Sequence, residues 1–320
     1  MKPGGKRHIL LIGMAGGLAQ ITARLLLTEN PEWTIHGVDT RPLDHVASLP
    51  RLTTTCMKYS RGNFENLFRA QRFDAVLHLG RLSHSSNDQD QLARRLEISV
   101  MGTSRILEMC LREEVQKVVV LSTFHVYGAL ADNPVFINEE APLQASIRHP
   151  ELRDVVEMDQ ICTNWMWKHQ NAHSTVVLRP CNVVGTQIQN AMTRYLTSRL
   201  ALRPVDFNPF FQFIHEFDMA QVIARSLTCL PTGTYNVAGN DFISLREALD
   251  IVGSKGFPFP VMLADGLNSL LSMVGKEFPS YLLDYLKFSC LIDNGQIKKH
   301  LGEDFCRFSI RETLELIKLR

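Results

Sequence analysis

A doubly wound α/β fold, one parallel sheet with helices on both faces and a smaller C-terminal substrate lobe, is predicted for this 320-residue chain by three observations. Apolar runs of strand length alternate with helical patterns as far as about residue 185, a glycine turn joins the first strand to the first helix, and an acid closes the second strand. The first strand is His8-Ile9-Leu10-Leu11-Ile12, and Gly13-Met14-Ala15-Gly16-Gly17-Leu18-Ala19 follows directly, opening a helix that carries Ile21, Leu25 and Leu26. Such a turn seats a dinucleotide. Gly13 permits the tight bend, Gly16 lets backbone N–H groups beside Ala15 approach a pyrophosphate, and the small Ala19 lets helix pack on strand. A second strand, Trp33 to Val38, ends at Asp39, where a carboxylate can accept hydrogen bonds from the adenosine ribose. That favours NAD. Arg41 stands two residues later and could meet a 2′-phosphate, so NADP stays open beside it.

Further strands are expected at about Thr54 to Lys58, Asp74 to Leu79, Lys117 to Leu121 and Ser174 to Leu178, with helices at 63–71, 89–112 and 151–169. Right-handed crossovers gather binding residues at the carboxyl ends of such strands. A late strand, Thr234 to Ala238, and a helix opened by Ser244 with Glu247 at capping-box spacing return to the main sheet. Residues 1–185, completed by about 213–254, thus form a Rossmann-type cofactor domain. Segments 186–212 and 255–320, with the Phe- and Pro-rich stretch Pro204 to Phe213, form the lobe. Within it the apolar helix Pro260 to Val274 reads as ordinary core packing.

Composition excludes several classes. Lys plus Arg count 34 against 33 for Asp plus Glu, with no basic stripe, so nucleic acid is not an expected partner. Seven cysteines at 56, 110, 162, 181, 229, 290 and 306 contain no C-x-x-C pair, so no metal site or disulfide framework is expected and reduced thiols in the cytoplasm fit best. Lys2, Lys6 and Arg7 before an apolar run imitate a signal peptide, but that run is the first strand. No stretch is long enough to span a membrane.

Beyond the cofactor turn, Asp74-Ala75-Val76-Leu77-His78-Leu79-Gly80, Val118 to Gly128, Leu178-Arg179-Pro180-Cys181-Asn182-Val183-Val184-Gly185, Phe213 to Ala220 and Tyr235-Asn236-Val237-Ala238 resemble successive motifs of the extended short-chain dehydrogenase/reductase superfamily, particularly its NAD-dependent epimerases and dehydratases. The resemblance covers nearly the whole chain. It implies cofactor contacts from Leu79, Gly80, Ser122 and Pro180, a Thr123 hydroxyl that holds the substrate oxygen, and a substrate contact from Asn182. It also implies a Tyr-x-x-x-Lys pair, in which an ammonium lowers the tyrosine pKa so that the phenolate can take a proton. This chain lacks the pair. Between Tyr127 and Tyr195 there is no tyrosine, Lys168 is the only lysine, and the likeliest register puts Val155 and Asp159 at the two positions. Ser99 likewise replaces a helix asparagine, and Phe211 stands where an arginine often grips a diphosphate.

Two groups could take the proton instead. His125, close after Thr123, titrates near neutrality, and Glu157 has Asp154 and Asp159 as like-charged neighbours, although acids early in a helix also simply stabilise its dipole. His84 flanks the expected nicotinamide region. The implied function is an NAD-dependent epimerase/dehydratase-like oxidoreductase acting on a sugar-nucleotide-like or other small hydroxyl or carbonyl substrate. A catalytically impaired NAD-binding protein acting through a partner and a reductase of hydrophobic ketones are the alternatives. Relatives pair through two helices, here 89–112 and 151–169 with Trp165 and Trp167, which implies a homodimer.

Overall fold

The computed structural model describes residues 5–80, 93, 95–198, 201–262 and 280–318. Its strands are β1 Arg7–Ile12, β2 Trp33–Asp39, β3 Leu52–Cys56, β4 Ala75–His78, β5 Lys117–Leu121, β6 Ser174–Pro180, β7 Asn182–Val184, β8 Leu202–Pro204, β9 Phe210–Phe211, β10 Phe213–His215, β11 Gly233–Val237, β12 Ile243–Ser244 and β13 Phe257–Phe259. Seven of them make one sheet in the order β11-β6-β5-β4-β1-β2-β3, every pairing parallel. The order reverses between β1 and β4, and a crevice opens there at the strands' carboxyl ends.

Helices cover both faces. They are α1 Gly17–Glu29, α2 Arg61–Ala70, α3 Gly102–Arg112, α4 Arg153–His169, α5 Ala191–Thr197, α6 Glu216–Ser226, α7 Leu245–Val252, α8 Leu282–Lys287, α9 Gly295–Leu301 and α10 Ile310–Lys318. Because strand side chains alternate, each strand feeds two cores. Leu10, Ile12, Val76, Val118, Val120 and Val177 pack with Phe64, Ile106 and Met158 on one side. Ile9, Leu11, Leu77, Val119 and Leu178 pack with Leu26, Val222 and Ile223 on the other, where α1 lies against α6.

Several boundaries differ from the sequence expectation for local reasons. β3 lies two residues earlier than expected because its side chains are mostly exposed at the sheet edge, so no apolar alternation marks it. The helix expected from 151 begins as a tight turn, Pro150–Leu152, before α4 starts at Arg153. The described part of the helix expected over 89–112 is wound as a π turn, Leu96–Met101, that runs into α3. The late strand joins the sheet beside β6, and Ser244 caps α7 by accepting the Glu247 N–H at 3.4 Å. Most of the helix expected over Pro260 to Val274 lies outside the described residues.

Candidate active site

Where the sheet order reverses, the turn after β1 meets the turn after β4. Gly13 has φ +95°, and a Cβ there would stand 2.5 Å from Gly80 Cα. Only glycine fits that approach. The chain then enters α1, whose first residue follows Gly16, and no side chain caps this end. Its N–H groups therefore face the crevice at the positive end of the helix dipole. A Cβ on Gly16 would stand 3.3 Å from the Gly13 carbonyl oxygen, tighter than an ordinary contact, and glycine leaves the backbone here bare toward the cavity. Ala19 is buried against the sheet, as its small size allows.

Asp39, at the end of β2, is buried and already engaged. One carboxylate oxygen accepts the Ala15 N–H at 2.9 Å, the other accepts the Arg41 N–H at 2.9 Å, and the Arg41 guanidinium lies across both at 3.1 Å. This hydrogen-bonded pairing raises the Arg41 pKa above its ordinary value. The side chain of Arg41 is 54% exposed, so its guanidinium borders solvent beside the glycine turn. Tyr59, following β3, completes this end. Burial, then the Asp39 charge, pushes its phenol far above the ordinary tyrosine range, so it stays protonated.

These groups line one cavity of about 450 Å³ that runs from Asp39 and Arg41, past Gly13, Ala15 and Gly16, to Leu79 and Gly80, and on to Ser122, Thr123, His125, Pro180 and Asn182. Every cofactor and substrate position expected from sequence in the described residues therefore borders a single space. His84 lies outside the described residues. Of the proton acceptors considered, His125 reaches the cavity and Glu157 does not: Glu157 sits on the outer face of α4, paired with Arg153 at 2.5 Å.

At the reactive end, Thr123 accepts the His125 N–H through its hydroxyl oxygen at 3.3 Å, which leaves its O–H to donate into the cavity. His125 packs edge-on to Tyr281 and Tyr285, with ring centroids at 5.3 and 4.9 Å. Tyr281 and Leu282 reach the cavity from the C-terminal lobe. Ser122, although it borders the space, donates its hydroxyl to Asp159 at 2.5 Å. Asn182 donates to the Gln212 carbonyl at 3.2 Å, tying β7 to β10.

Val155 and Asp159, the residues expected from sequence at the Tyr-x-x-x-Lys positions, lie in different surroundings. Val155 lines the cavity with an apolar surface, and Asp159, 0% exposed, is clasped by Arg179 of β6 at 2.6 and 2.9 Å. Arg179 also donates to Tyr127 at 2.9 Å, and Tyr127 donates to Asn236 at 2.8 Å. Asp154 is likewise buried, 4.0 Å from Arg95. These acids hold the helix to its neighbours. Ser99 is buried on the π turn, and Phe211 stacks on Phe213 at 6.0 Å without reaching the cavity.

Sequence reasoning missed Tyr59, the stretch Gln187–Met192 and the Tyr281–Leu282 wall. The first follows β3, whose ends were misread, and the others come from the lobe, where no motif marks which residues turn inward. Among the described residues no group of three or more His, Cys, Asp or Glu is placed to hold a metal ion. Among the described residues no helix is long and apolar enough to cross a membrane.

A parallel sheet with an uncapped glycine-turn helix at its crossover point and a buried acid closing the second strand defines a Rossmann-type dinucleotide-binding fold. The chain belongs to the NAD dependent epimerase/dehydratase family, whose sequence profile matches residues 9–238. It is similar to an uncharacterized protein of Mycobacterium tuberculosis, 22% identical over 252 residues, covering 77% of this chain and 66% of that protein. Human dTDP-D-glucose 4,6-dehydratase is 26% identical over 194 residues, 57% of this chain and 53% of that one. The chain thus spans under two thirds of the length of these relatives. Among solved structures, UDP-glucose 4-epimerase from Thermotoga maritima, determined with UDP-glucose, superposes with a TM-score of 0.74 at 17% identity over 98% of this chain and 97% of that one. The NAD complex of dTDP-glucose 4,6-dehydratase from Bacillus anthracis gives 0.73 at 16% identity over 98% and 96%.

Proposed function

We propose that this protein binds NAD in the crevice and acts as an oxidoreductase of the epimerase or dehydratase type on a hydroxyl of a sugar nucleotide or similar small polar substrate. One observation carries the reading: the glycine turn, Asp39, Leu79–Gly80 and Thr123, far apart in sequence, border one continuous cavity at the sheet's crossover point. The uncapped first turn of α1 would hold the pyrophosphate, and Asp39 would accept the ribose hydroxyls in place of the Arg41 guanidinium, which must swing off its carboxylate. NAD, when bound, supplies the hydride acceptor. Thr123 would orient the substrate oxygen with its free O–H, and His125, the titratable group beside it in the cavity, would take the carbinol proton. The lack of any tyrosine between Tyr127 and Tyr195 speaks for this histidine route over a lysine-tuned tyrosinate on α4. A homodimer through α3 and α4 goes with the reading, supported by Trp167, 57% exposed on the outer face of α4.

The test is to incubate NAD-loaded protein with UDP-glucose and with dTDP-glucose, following cofactor absorbance and separating the sugar products. An altered sugar from wild type, slowed about 100-fold in His125→Gln and in Thr123→Val, supports the assignment. Bound NAD with no product across a wider sugar-nucleotide screen would leave a cofactor-binding protein without turnover.

A further inference from the structure

Strand β7 runs parallel to β10 with Val184 opposite His215, so Gly185 emerges directly beside Glu216, the first residue of α6. A Cβ on Gly185 would stand 2.2 Å from Glu216 Cδ, so a side chain there would push the carboxylate off its loop donors. The Glu216 carboxylate is 0% exposed, and its three donors all belong to the next two residues of the loop. The Thr186 N–H reaches it at 3.0 Å, the Thr186 hydroxyl at 3.1 Å and the Gln187 N–H at 2.8 Å. An acid serving only the helix dipole would sit in water at the helix start. This one is desolvated, and among the described residues no lysine or arginine pairs with it, so the loop's hydrogen bonds are what hold the charge in place.

Held this way, the loop crosses the cofactor turn. A Cβ on Gly17 would be 2.4 Å from the Gln187 carbonyl oxygen, so strap and helix start are in direct contact. Residues 187–192 then face Gly13 to Leu18 across the cavity. The far end is also fastened: Asn190 donates to the Val183 carbonyl at 2.7 Å and caps α5 by accepting the Thr193 N–H at 2.8 Å. A bound pyrophosphate would lie under a strap tied at both ends.

We infer that Glu216 is the positioning residue that holds loop 185–190 closed over the dinucleotide and so governs how fast NAD enters and leaves. The inference rests on the NAD reading above. Glutamine keeps one acceptor but turns an NH₂ toward the Gln187 N–H, so Glu216→Gln loosens the strap with little change in shape.

Stopped-flow displacement of bound NADH by excess NAD, on the whole chain, reads the effect. Glu216→Gln is expected to release NADH roughly tenfold to a hundredfold faster and also to bind it faster, while Thr186→Val, losing one hydroxyl bond, releases it about two- to threefold faster. Faster entry is what a damaged phosphate site would not give. A second readout needs no cofactor: tryptic cleavage at Arg194, just beyond the strap, should accelerate in Glu216→Gln. Unchanged NADH release in both variants, or faster release with slower entry, overturns the inference while leaving the NAD reading intact. A wild type that binds no NADH overturns both, and unchanged cleavage at Arg194 then shows that Glu216 does not hold the loop either.

Discussion

Gly13 and Gly16 do different work, and an added side chain should separate them. At Gly13 the backbone is left-handed and a methyl group would strike Gly80, so Gly13→Ala should cost folding stability on the order of 1–3 kcal/mol in denaturant titrations. At Gly16 φ is −79°, ordinary for any residue, and a Cβ would meet the Gly13 carbonyl oxygen at 3.3 Å, a tight contact but one without left-handed backbone strain. Gly16→Val should therefore keep its melting temperature within a few degrees while NAD affinity falls at least ~100-fold, because the branched side chain fills the phosphate's place. The glycine spacing and Asp39 were legible because a phosphate turn needs those residue types at those distances. That Arg41 clasps Asp39 was not: the sequence places an arginine two residues on but not its rotamer.

Helix α4 carries its acids as structural anchors. With Arg179 held at 2.6 Å from a fully buried Asp159, removing the carboxylate leaves an uncompensated guanidinium in the core. Asp159→Ala should cost about 3–5 kcal/mol by denaturant titration. Glu157→Gln, breaking only an exposed pair with Arg153, should change stability by under about 0.5 kcal/mol. Equal losses would mean that Asp159 is not the buried anchor. The absence of a tyrosine between Tyr127 and Tyr195 could be read from the sequence by elimination, but the partner of Asp159 could not. Its identity needed the parallel pairing of β5 with β6, which lays Ser122 and Arg179 under the same turn of α4.

At the scale of the molecule, a charged cluster ties α8 to the segment ahead of α4, where Arg148 also lies 3.7 Å from Asp284. His149, ahead of α4, hydrogen-bonds Asp284 of α8 at 2.9 Å and lies 3.7 Å from Glu151. The bonds to Asp284 and then Glu151 push its pKa up from 6.5 to about 9. A histidine raised in the folded state stabilises fully below its unfolded pKa and loses that contribution as pH rises, here between 6.5 and about 9. Thermal melts of wild type should decline across that window, and His149→Gln should remove the decline; a parallel decline in both would assign it to other groups. The cluster was invisible in the sequence because His149 and Asp284 stand 135 residues apart. The alternating pattern that announced the sheet carries no such information about the lobe, whose apolar helices look alike whichever side faces the cavity. For the proposed dimer, Trp167→Glu should place a charge in the seam and yield monomers by sedimentation, whereas a monomeric wild type at micromolar concentration would remove that seam.

Titration calorimetry of the whole chain decides whether the crevice between the β1 and β4 turns holds NAD. The account predicts one NAD per chain, NADP weaker by about tenfold or more because the buried Asp39 carboxylate opposes a 2′-phosphate, and no binding heat in Gly16→Val. Binding that survives unchanged in Gly16→Val, or NADP bound as tightly as NAD, would contradict it.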